Sequence, residues 1–181
     1  MTTPERVVLV DGDGSVVGTA LKSRVHSVPT PLHLGFSCYL RDESGRVLVT
    51  RRALSKLTWP GVWTNSFCGH PAPGERIRDA VIRRARQELA AELADVEGVL
   101  PDFRYRALDA GGVEENEVCP VFTARLAGPF APRAAEVVEW AWIDPHDLAE
   151  AAARAPFVFS PWMVEQLPRL LDVGAFEGCR T

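Results

Sequence analysis

No segment of the sequence approaches the roughly 20 continuous apolar residues that a membrane-spanning helix needs. Residues 1–6 are polar, and the apolar run of residues 7–10 that follows is too short for a secretory signal. Cysteine is also scarce, with four residues scattered along the chain and no C-x-x-C pair. Reduced thiols are therefore expected, rather than a disulfide framework or a structural zinc site. These absences predict a cytoplasmic protein without a membrane partner.

The chain also lacks an excess of basic residues. It has 20 Lys and Arg against 24 Asp and Glu, which gives a formal net charge of −4. Because the phosphate backbone favours strongly basic proteins, this balance argues against a nucleic-acid partner. Hydrophobic residues make up 46% and charged residues 24% of the 181 residues, which is ordinary globular composition. We expect a single domain over residues 1–181 with a substantial core.

Hydrophobic patterning predicts strands that alternate with helices. A β-hairpin is expected over residues 7–19, because two apolar runs flank the turn-forming residues 11–14. Further strands are expected over residues 32–41, 46–52, 103–108, 118–126 and 137–143. Helices are expected over residues 76–93, 145–153 and 161–172. This order of elements predicts an α/β or α+β sandwich.

Two further segments bear on function. Residues 32–41 alternate between two faces, one formed by Leu34, Phe36, Cys38 and Leu40, the other by His33, Gly35, Ser37 and Tyr39. Residues 59–74 are rich in glycine, proline and aromatic residues and have no clear period. We expect a long structured loop there, and such loops often carry functional residues.

Histidines and acidic residues are the first candidates for chemistry. Three of the four histidines, His26, His33 and His70, lie in the first 70 residues, and histidine is the commonest metal-ligating side chain. For each of them alone, a surface or hydrogen-bonded loop histidine is the favoured explanation. Glu115 and Glu117 lie two apart on a predicted strand, where two carboxylates repel unless a cation or a shared proton relieves them. A solvated acidic loop tip explains them equally well.

Cys68 and Glu88 also allow two interpretations each. Cys68 stands two residues before His70, so its thiol can act as a nucleophile, an acid or a base, although inert burial is the commonest fate of a lone cysteine. Glu88 lies off the apolar stripe of its helix. It either forms a surface pair with Arg84, four residues earlier, or binds a divalent metal that holds phosphate oxygens.

Seven short segments, taken in order and spacing from about residue 5 to about residue 168, carry a family resemblance: 32–37, 51–56, 59–66, 68–71, 105–107, 115–118 and 160–162. In these segments the chain resembles the type I isopentenyl-diphosphate Δ-isomerases of the short bacterial form, which belong to the Nudix superfamily. The resemblance implies a Nudix-like αβα sandwich, with a mixed sheet and flanking helices, over residues 31–166. Residues 1–30 would add an N-terminal hairpin and a metal-site loop.

The same resemblance implies a reaction. Isopentenyl and dimethylallyl diphosphate would interconvert in isoprenoid biosynthesis by a 1,3-allylic proton shift through a tertiary carbocation. It assigns protonation to Glu117 with help from Tyr105, removal of the C2 proton to Cys68, and stabilisation of the cation to Trp162. It implies a diphosphate site formed by Lys22, Arg52, Lys56 and Arg84. The substrate would be the only partner class, and the protein a monomer or a homodimer.

Two metal sites are implied in the same way. One Mn²⁺, Zn²⁺ or Mg²⁺ ion would be bound by His26, His33, His70, Glu115 and Glu117, and this ligand set does not choose among the three metals. A second ion, Mg²⁺, would be held by Glu88 and the backbone near Cys68, and would bridge the substrate diphosphate.

The box that defines Nudix hydrolases is degenerate in this chain. Hydrolases carry Arg-Glu-aliphatic-x-Glu-Glu-x-Gly, whereas residues 83–90 here replace two of the three acids and place Ala90 at the glycine position. The isomerases share this departure, which argues against hydrolysis of a diphosphate. A Nudix hydrolase of a diphosphate-linked substrate is the alternative function, and a catalytically silent Nudix-like binding module is a third.

Overall fold

The computed structural model describes residues 4–26 and 29–177. The strands are β1 Arg6–Val10, β2 Val16–Leu21, β3 His33–Leu34, β4 Phe36–Arg41, β5 Val47–Arg52, β6 Trp63–Thr64, β7 Phe67–Gly69, β8 Leu93–Leu100, β9 Arg104–Leu108, β10 Glu114–Val118, β11 Val121–Leu126 and β12 Val137–Ile143. The helices are α1 Lys22–Val25, α2 Ile77–Leu89, α3 Pro145–Arg154 and α4 Pro161–Asp172, with a 3₁₀ turn at Pro156–Val158. Cys179, one of the four cysteines expected to be reduced, lies outside the described residues.

These strands form two sheets. A five-stranded sheet has the order β2-β1-β3-β10-β9, and its antiparallel β1–β2 pair is the predicted N-terminal hairpin. The other sheet follows the path β12-β5-β4-β11-β8, with β6 beside β5 and β7 beside β4. It is mixed, since β4 and β11 run parallel while β5 and β12 run antiparallel.

Helices cover both faces of the seven-stranded sheet, because side chains of β4 alternate between two apolar clusters. Phe36, Cys38 and Leu40 pack with the apolar stripe of α2, which includes Val81, Ala85 and Leu89. Tyr39 belongs to the opposite cluster, which contains Leu148 of α3 and Trp162 and Leu167 of α4. The alternation predicted for this strand is confirmed, and it produces the αβα layering.

The two strands that cross between the sheets were each predicted as a single strand, which is wrong. Residues 32–41 divide at Gly35, so that β3 joins the five-stranded sheet and β4 the seven-stranded one. Residues 118–126 divide in the same way, and the chain changes sheets at residues 119–120. The two breaks lie side by side, because Gly35 N donates to Val118 O at 2.9 Å and Ser37 N donates to Pro120 O at 3.1 Å. Pro120 has no N–H to continue a strand ladder.

Two other boundaries differ from the prediction. Helix α2 ends at Leu89 rather than at residue 93, because Ala90 adopts a left-handed conformation with φ of 48°. Leu93 instead begins strand β8, which the sequence did not predict, and pairs with Leu126. Residues 59–74 are not all loop, since β6 and β7 lie within them. Within the described residues, no helix has both the length and the apolar character of a membrane span.

Candidate active site

Three histidines meet where the two sheets come together. His26 follows α1, His33 lies in β3 and His70 follows β7, so each comes from a different element. Their candidate ligand nitrogens all lie within 4.8 Å of one another. The ring centroids are 5.2 Å apart for His33 and His70 and 6.0 Å apart for His26 and His70. The three candidate histidines therefore form one cluster.

Glu117 joins this cluster through strand register. In the five-stranded sheet Glu117 pairs with His33 on one side and with Tyr105 on the other. Its Oε1 lies 2.9 Å from His70 Nε2 and 3.3 Å from His33 Nε2. Gly35 makes room for it, because a Cβ at that position would lie 2.3 Å from Glu117 Oε2. The carboxylate and the imidazoles thus converge from both sheets.

The hydrogen bonding of the histidines fits a divalent cation. His33 Nδ1 donates to the Pro31 carbonyl at 2.9 Å, and its Nε2 lies 3.3 Å from Glu117 Oε1. Within the described part of the chain, the other two histidines each have a buried ring nitrogen without a hydrogen-bond partner: His26 Nδ1 and His70 Nδ1. Buried polar atoms are costly when unpaired, and imidazole with carboxylate is a common ligand set for divalent metals.

The protonation states in this cluster also suit a cation. Burial, reinforced by the neighbouring histidines, lowers the pKa of His26 to about 4. Burial likewise lowers the pKa of His70, so both imidazoles carry free lone pairs at neutral pH. Burial alone would raise the pKa of Glu117, but hydrogen bonds from His33 and His70 outweigh it and hold that pKa below its usual range. Burial alone would lower the pKa of His33, but its contact with Glu117 outweighs this effect and raises that pKa. Metal binding requires neutral imidazoles and an ionised carboxylate, so a metal ion at this cluster would compete with a proton at His33 only.

Glu115, the other predicted carboxylate ligand, is hydrogen-bonded to a neighbouring strand. Its carboxylate accepts a hydrogen bond from the Tyr105 hydroxyl, and both residues are buried. Burial, together with the negative charge of Glu117, raises the pKa of Glu115 above its usual range. Glu115 and Tyr105 therefore form a hydrogen-bonded pair beside the ionised Glu117, in the same cavity as His26 and His70.

Cys68 lies in β7 and lines that cavity. Its Sγ is 3.2 Å from Asn65 Oδ1 and 3.5 Å from Ser37 Oγ, the hydroxyl of the residue paired with it in β4. Burial raises the pKa of Cys68 to about 12, so the side chain is a neutral thiol at pH 7. The thiol is neither on the surface nor sealed in the core, which separates it from the fully buried Cys38.

Trp162 forms an aromatic wall of the cavity. It is almost fully buried at the start of α4, and its ring centroid lies 5.5 Å from that of Tyr105 and 5.3 Å from that of Trp59. The Arg52 guanidinium lies over the indole, 5.6 Å from the ring centroid. The face of this indole therefore already contacts a cation.

The four predicted phosphate-binding residues line the same cavity, which has a volume of about 550 Å³. Arg52 donates to the carbonyl of Thr58 at 2.7 Å, which fixes its guanidinium. The other three cations are paired with acids: Lys22 with Glu5, Lys56 with Glu136, and Arg84 with Glu88. The Arg84–Glu88 pair is buried, so it is not the surface pair that the sequence allowed.

Comparison with known proteins agrees with this geometry. The NUDIX domain family profile matches residues 31–163. The isopentenyl-diphosphate Delta-isomerase of Clavibacter michiganensis is 63% identical over 166 residues, covering 92% of this chain and 86% of that protein. The isomerase of the same name from Paenarthrobacter aurescens is 55% identical over 175 residues, covering 97% and 95%. The chain belongs to the isopentenyl-diphosphate Delta-isomerase family of Nudix proteins.

More distant solved structures share the fold. A Deinococcus radiodurans structure covers 91% of this chain and 98% of its own chain, at 22% identity and a TM-score of 0.71. A MutT protein from Methanosarcina mazei covers 78% and 94%, at 17% identity and a TM-score of 0.61. In this Nudix chain the degenerate box lies on α2, where Glu88 is the remaining acid and faces the cavity.

Two polar residues of this Nudix site were not singled out from the sequence. Glu136 lines the cavity and pairs with Lys56, and Asn65 contacts both Cys68 and Trp162. The available signal for Asn65 was the polar run of residues 64–66 inside a segment dense in aromatic residues. Glu136 had no local signal, because only the tertiary fold brings it to Lys56.

Proposed function

We propose that this chain catalyses the interconversion of isopentenyl diphosphate and dimethylallyl diphosphate in isoprenoid biosynthesis. The observation that carries the proposal is a single cavity that contains a thiol, an acidic group and an indole face beside four cations. The names of the similar bacterial proteins support it. A proton shift on a short diphosphate needs this combination, and the degenerate Nudix box disfavours hydrolysis.

The acidic group delivers the first proton. An isolated alkene is a weak base, so the donor must lie against the terminal carbon in a dry pocket. Glu117 and Tyr105 are the proposed carriers, and Tyr105 is bonded to Glu115, whose pKa is raised by burial. Burial raises the pKa of Tyr105 well above its usual value, so its hydroxyl keeps its proton at neutral pH. Protonation of the alkene leaves a tertiary carbocation at C3.

Cys68 removes a proton from C2, which forms the new double bond and discharges the cation. One proton enters at C4 and one leaves from C2, so the substrate composition is unchanged. The thiolate is the basic form of cysteine, whereas burial raises the pKa of Cys68 to about 12. A divalent cation at the histidine cluster would supply positive charge that favours the thiolate, and would hold the Glu117 carboxylate in place.

Trp162 protects the cation between the two proton transfers. Its indole face lies in a buried aromatic wall, where stabilisation of a desolvated cation is worth about 2 kcal/mol. Lys22, Arg52, Lys56 and Arg84 bind the diphosphate, and arginine can grip its oxygens with two parallel hydrogen bonds. Glu88 would hold a Mg²⁺ ion on the diphosphate, and the histidine site would take Mn²⁺, Zn²⁺ or Mg²⁺.

The test is incubation of the pure protein with isopentenyl diphosphate, Mg²⁺ and Mn²⁺ in D₂O. We expect dimethylallyl diphosphate that carries deuterium in a methyl group, detected by NMR. Cys68→Ala should abolish this product. Cys38→Ala is the matched control, because it removes a buried thiol on the α2 side of β4, and it should retain turnover. Release of phosphate without an allylic product would instead indicate hydrolysis.

A further inference from the structure

Asn65 is a buried amide that the reaction described above does not use. It has no exposed surface, and its Nδ2 donates to two backbone carbonyls, Cys38 O at 3.0 Å and Phe67 O at 2.8 Å. Its Oδ1 accepts from Trp162 Nε1 at 2.9 Å. Carbonyl groups only accept and an indole N–H only donates, so the amide has a single possible orientation. The oxygen therefore faces the Trp162 indole and cannot exchange with the nitrogen.

The same oxygen also contacts the reactive thiol. Asn65 Oδ1 lies 3.2 Å from Cys68 Sγ, where it accepts the S–H hydrogen. Cys68 stands in β7 and Trp162 in α4, so one atom joins side chains from the sheet and from the helix that covers it. The Thr50 hydroxyl donates to the Asn65 carbonyl at 3.0 Å, which fixes the backbone as well.

The hydrogen bonds to Asn65 restrict the rotation of the Cys68 and Trp162 side chains. A cysteine thiol turns about one bond, and an indole that loses its N–H partner can tilt within its aromatic wall. Proton removal from C2 needs the sulfur aligned with one C–H bond while the indole faces the cation. Such alignment is worth large factors in rate, and a displacement of about 1 Å can cost on the order of 100-fold.

We propose that Asn65 is a positioning residue, which holds the Cys68 thiol and the Trp162 indole in the relative geometry that the carbocation requires. This inference rests on the proposed isomerase function. Asn65 is not one of the proposed diphosphate-binding residues, which lie on other elements. Its loss should therefore lower kcat and leave KM almost unchanged.

The test compares two buried substitutions. Asn65→Leu removes both hydrogen-bonding atoms and keeps the number and branching of the side-chain heavy atoms, and kcat should fall about 100-fold with KM within about threefold. Ser66→Ala is the control, because Ser66 is equally buried and bonds Leu40 N and Leu48 O, each at 2.7 Å, away from the cavity. It should lower the unfolding temperature yet keep kcat within about threefold.

A conservative variant supplies a second, independent readout. The neutral carboxyl introduced by Asn65→Asp can donate to the Phe67 carbonyl and still accept from Trp162 and Cys68. Once ionised, it would face two carbonyl oxygens at about the distances that Nδ2 now has. The kcat of Asn65→Asp should thus exceed that of Asn65→Leu at low pH and converge on it as pH rises. The wild type should lack this dependence.

The outcomes separate the two claims. A wild-type protein that forms no dimethylallyl diphosphate overturns the proposed function, and the positioning role with it. An active wild type with a kcat unaffected by Asn65→Leu overturns the positioning role alone. The positioning role is also overturned if Ser66→Ala loses as much kcat as Asn65→Leu, since general destabilisation would then explain both losses. If Asn65→Leu does not fold, the pH dependence of Asn65→Asp decides.

Discussion

Glu117 can reach the histidine cluster because residue 35 has no side chain. A Cβ on Gly35 would lie 2.3 Å from Oε2 and 2.7 Å from Cδ of Glu117, far inside van der Waals contact. The backbone of Gly35 is held in place, because its N–H donates to Val118 O at 2.9 Å. The Glu117 carboxylate lines the cavity, so a Cβ at residue 35 would displace the carboxylate rather than the backbone. A glycine is therefore required here by close approach rather than by a turn.

Gly35→Ala should move the Glu117 carboxylate away from His33 and His70. Loss of a well-oriented ligand typically costs about 10- to 100-fold in metal affinity, and we expect a loss of this size for Mn²⁺. Titration calorimetry with Mn²⁺ measures it directly. Gly18→Ala in β2 is the control, since a Cβ there meets nothing within 4 Å. Unchanged Mn²⁺ affinity in Gly35→Ala would contradict the inference that Glu117 needs a glycine at residue 35 to reach the histidines.

The chemistry of individual side chains was enough to select most of the candidate residues, but it could not predict their contacts. The three histidines, Glu117 and Cys68 were candidates because few other side chains can bind a metal or move a proton, and they do come together. Their convergence depends on strand register, which one sequence does not specify. Glu115 bonding to Tyr105 and Asn65 bonding to Cys68 arise from this register and from packing, so no local pattern could indicate them.

At the scale of elements, the C-terminus of α2 departs from the sequence pattern for a specific reason. The apolar spacing of the helix continues to Leu93, but the chain turns at Ala90, which has φ of 48°. Alanine pays a steric cost in this left-handed conformation of roughly 1–2 kcal/mol, whereas glycine does not. The usual glycine signal for a helix end is absent, and the predicted helix was therefore too long.

Ala90→Gly should stabilise the protein. The relief of strain exceeds the extra entropy that glycine loses on folding, so the net gain should be about 0.5–1 kcal/mol. The urea midpoint should rise with an unchanged slope. Ala91→Gly should have the opposite sign, because Ala91 is buried and its methyl group packs in the cluster beneath α2. A lower midpoint for Ala90→Gly would contradict the strain argument.

The crossing strands show the limit of periodicity at this scale. Residues 32–41 alternate without interruption, so the pattern predicts one strand, yet β3 and β4 belong to different sheets. Alternation reports which face a side chain takes and not which neighbour the backbone pairs with. The break at Gly35 and its counterpart near Pro120 place His33 and Glu117 in one sheet and Cys68 beside the other. The site exists because these two chain segments change sheets together.

On the scale of the whole molecule, the histidine cluster brings together residues that are distant in the chain and belong to different elements. His33 and Glu117 belong to the five-stranded sheet, His70 follows β7 of the seven-stranded sheet, and His26 follows the helix after the N-terminal hairpin. A cation bound to these residues would bridge both sheets. Ligands that bind only the folded state add stability according to their concentration over Kd. Metal binding should therefore increase the free energy of unfolding of the whole protein.

Mn²⁺ at about 100 times its Kd should add about 2.7 kcal/mol, and raise the unfolding temperature of a chain of this length by about 5–10 °C relative to protein treated with a chelator. His26→Ala should lose most of this shift, because a ligand is missing while both sheets remain. His146→Ala should keep all of it, since His146 is the fourth histidine and lies exposed on α3. Calorimetry measures these unfolding temperatures. If Mn²⁺ raised the unfolding temperature equally in both variants, the ion would bind elsewhere and the histidine cluster would not be its site.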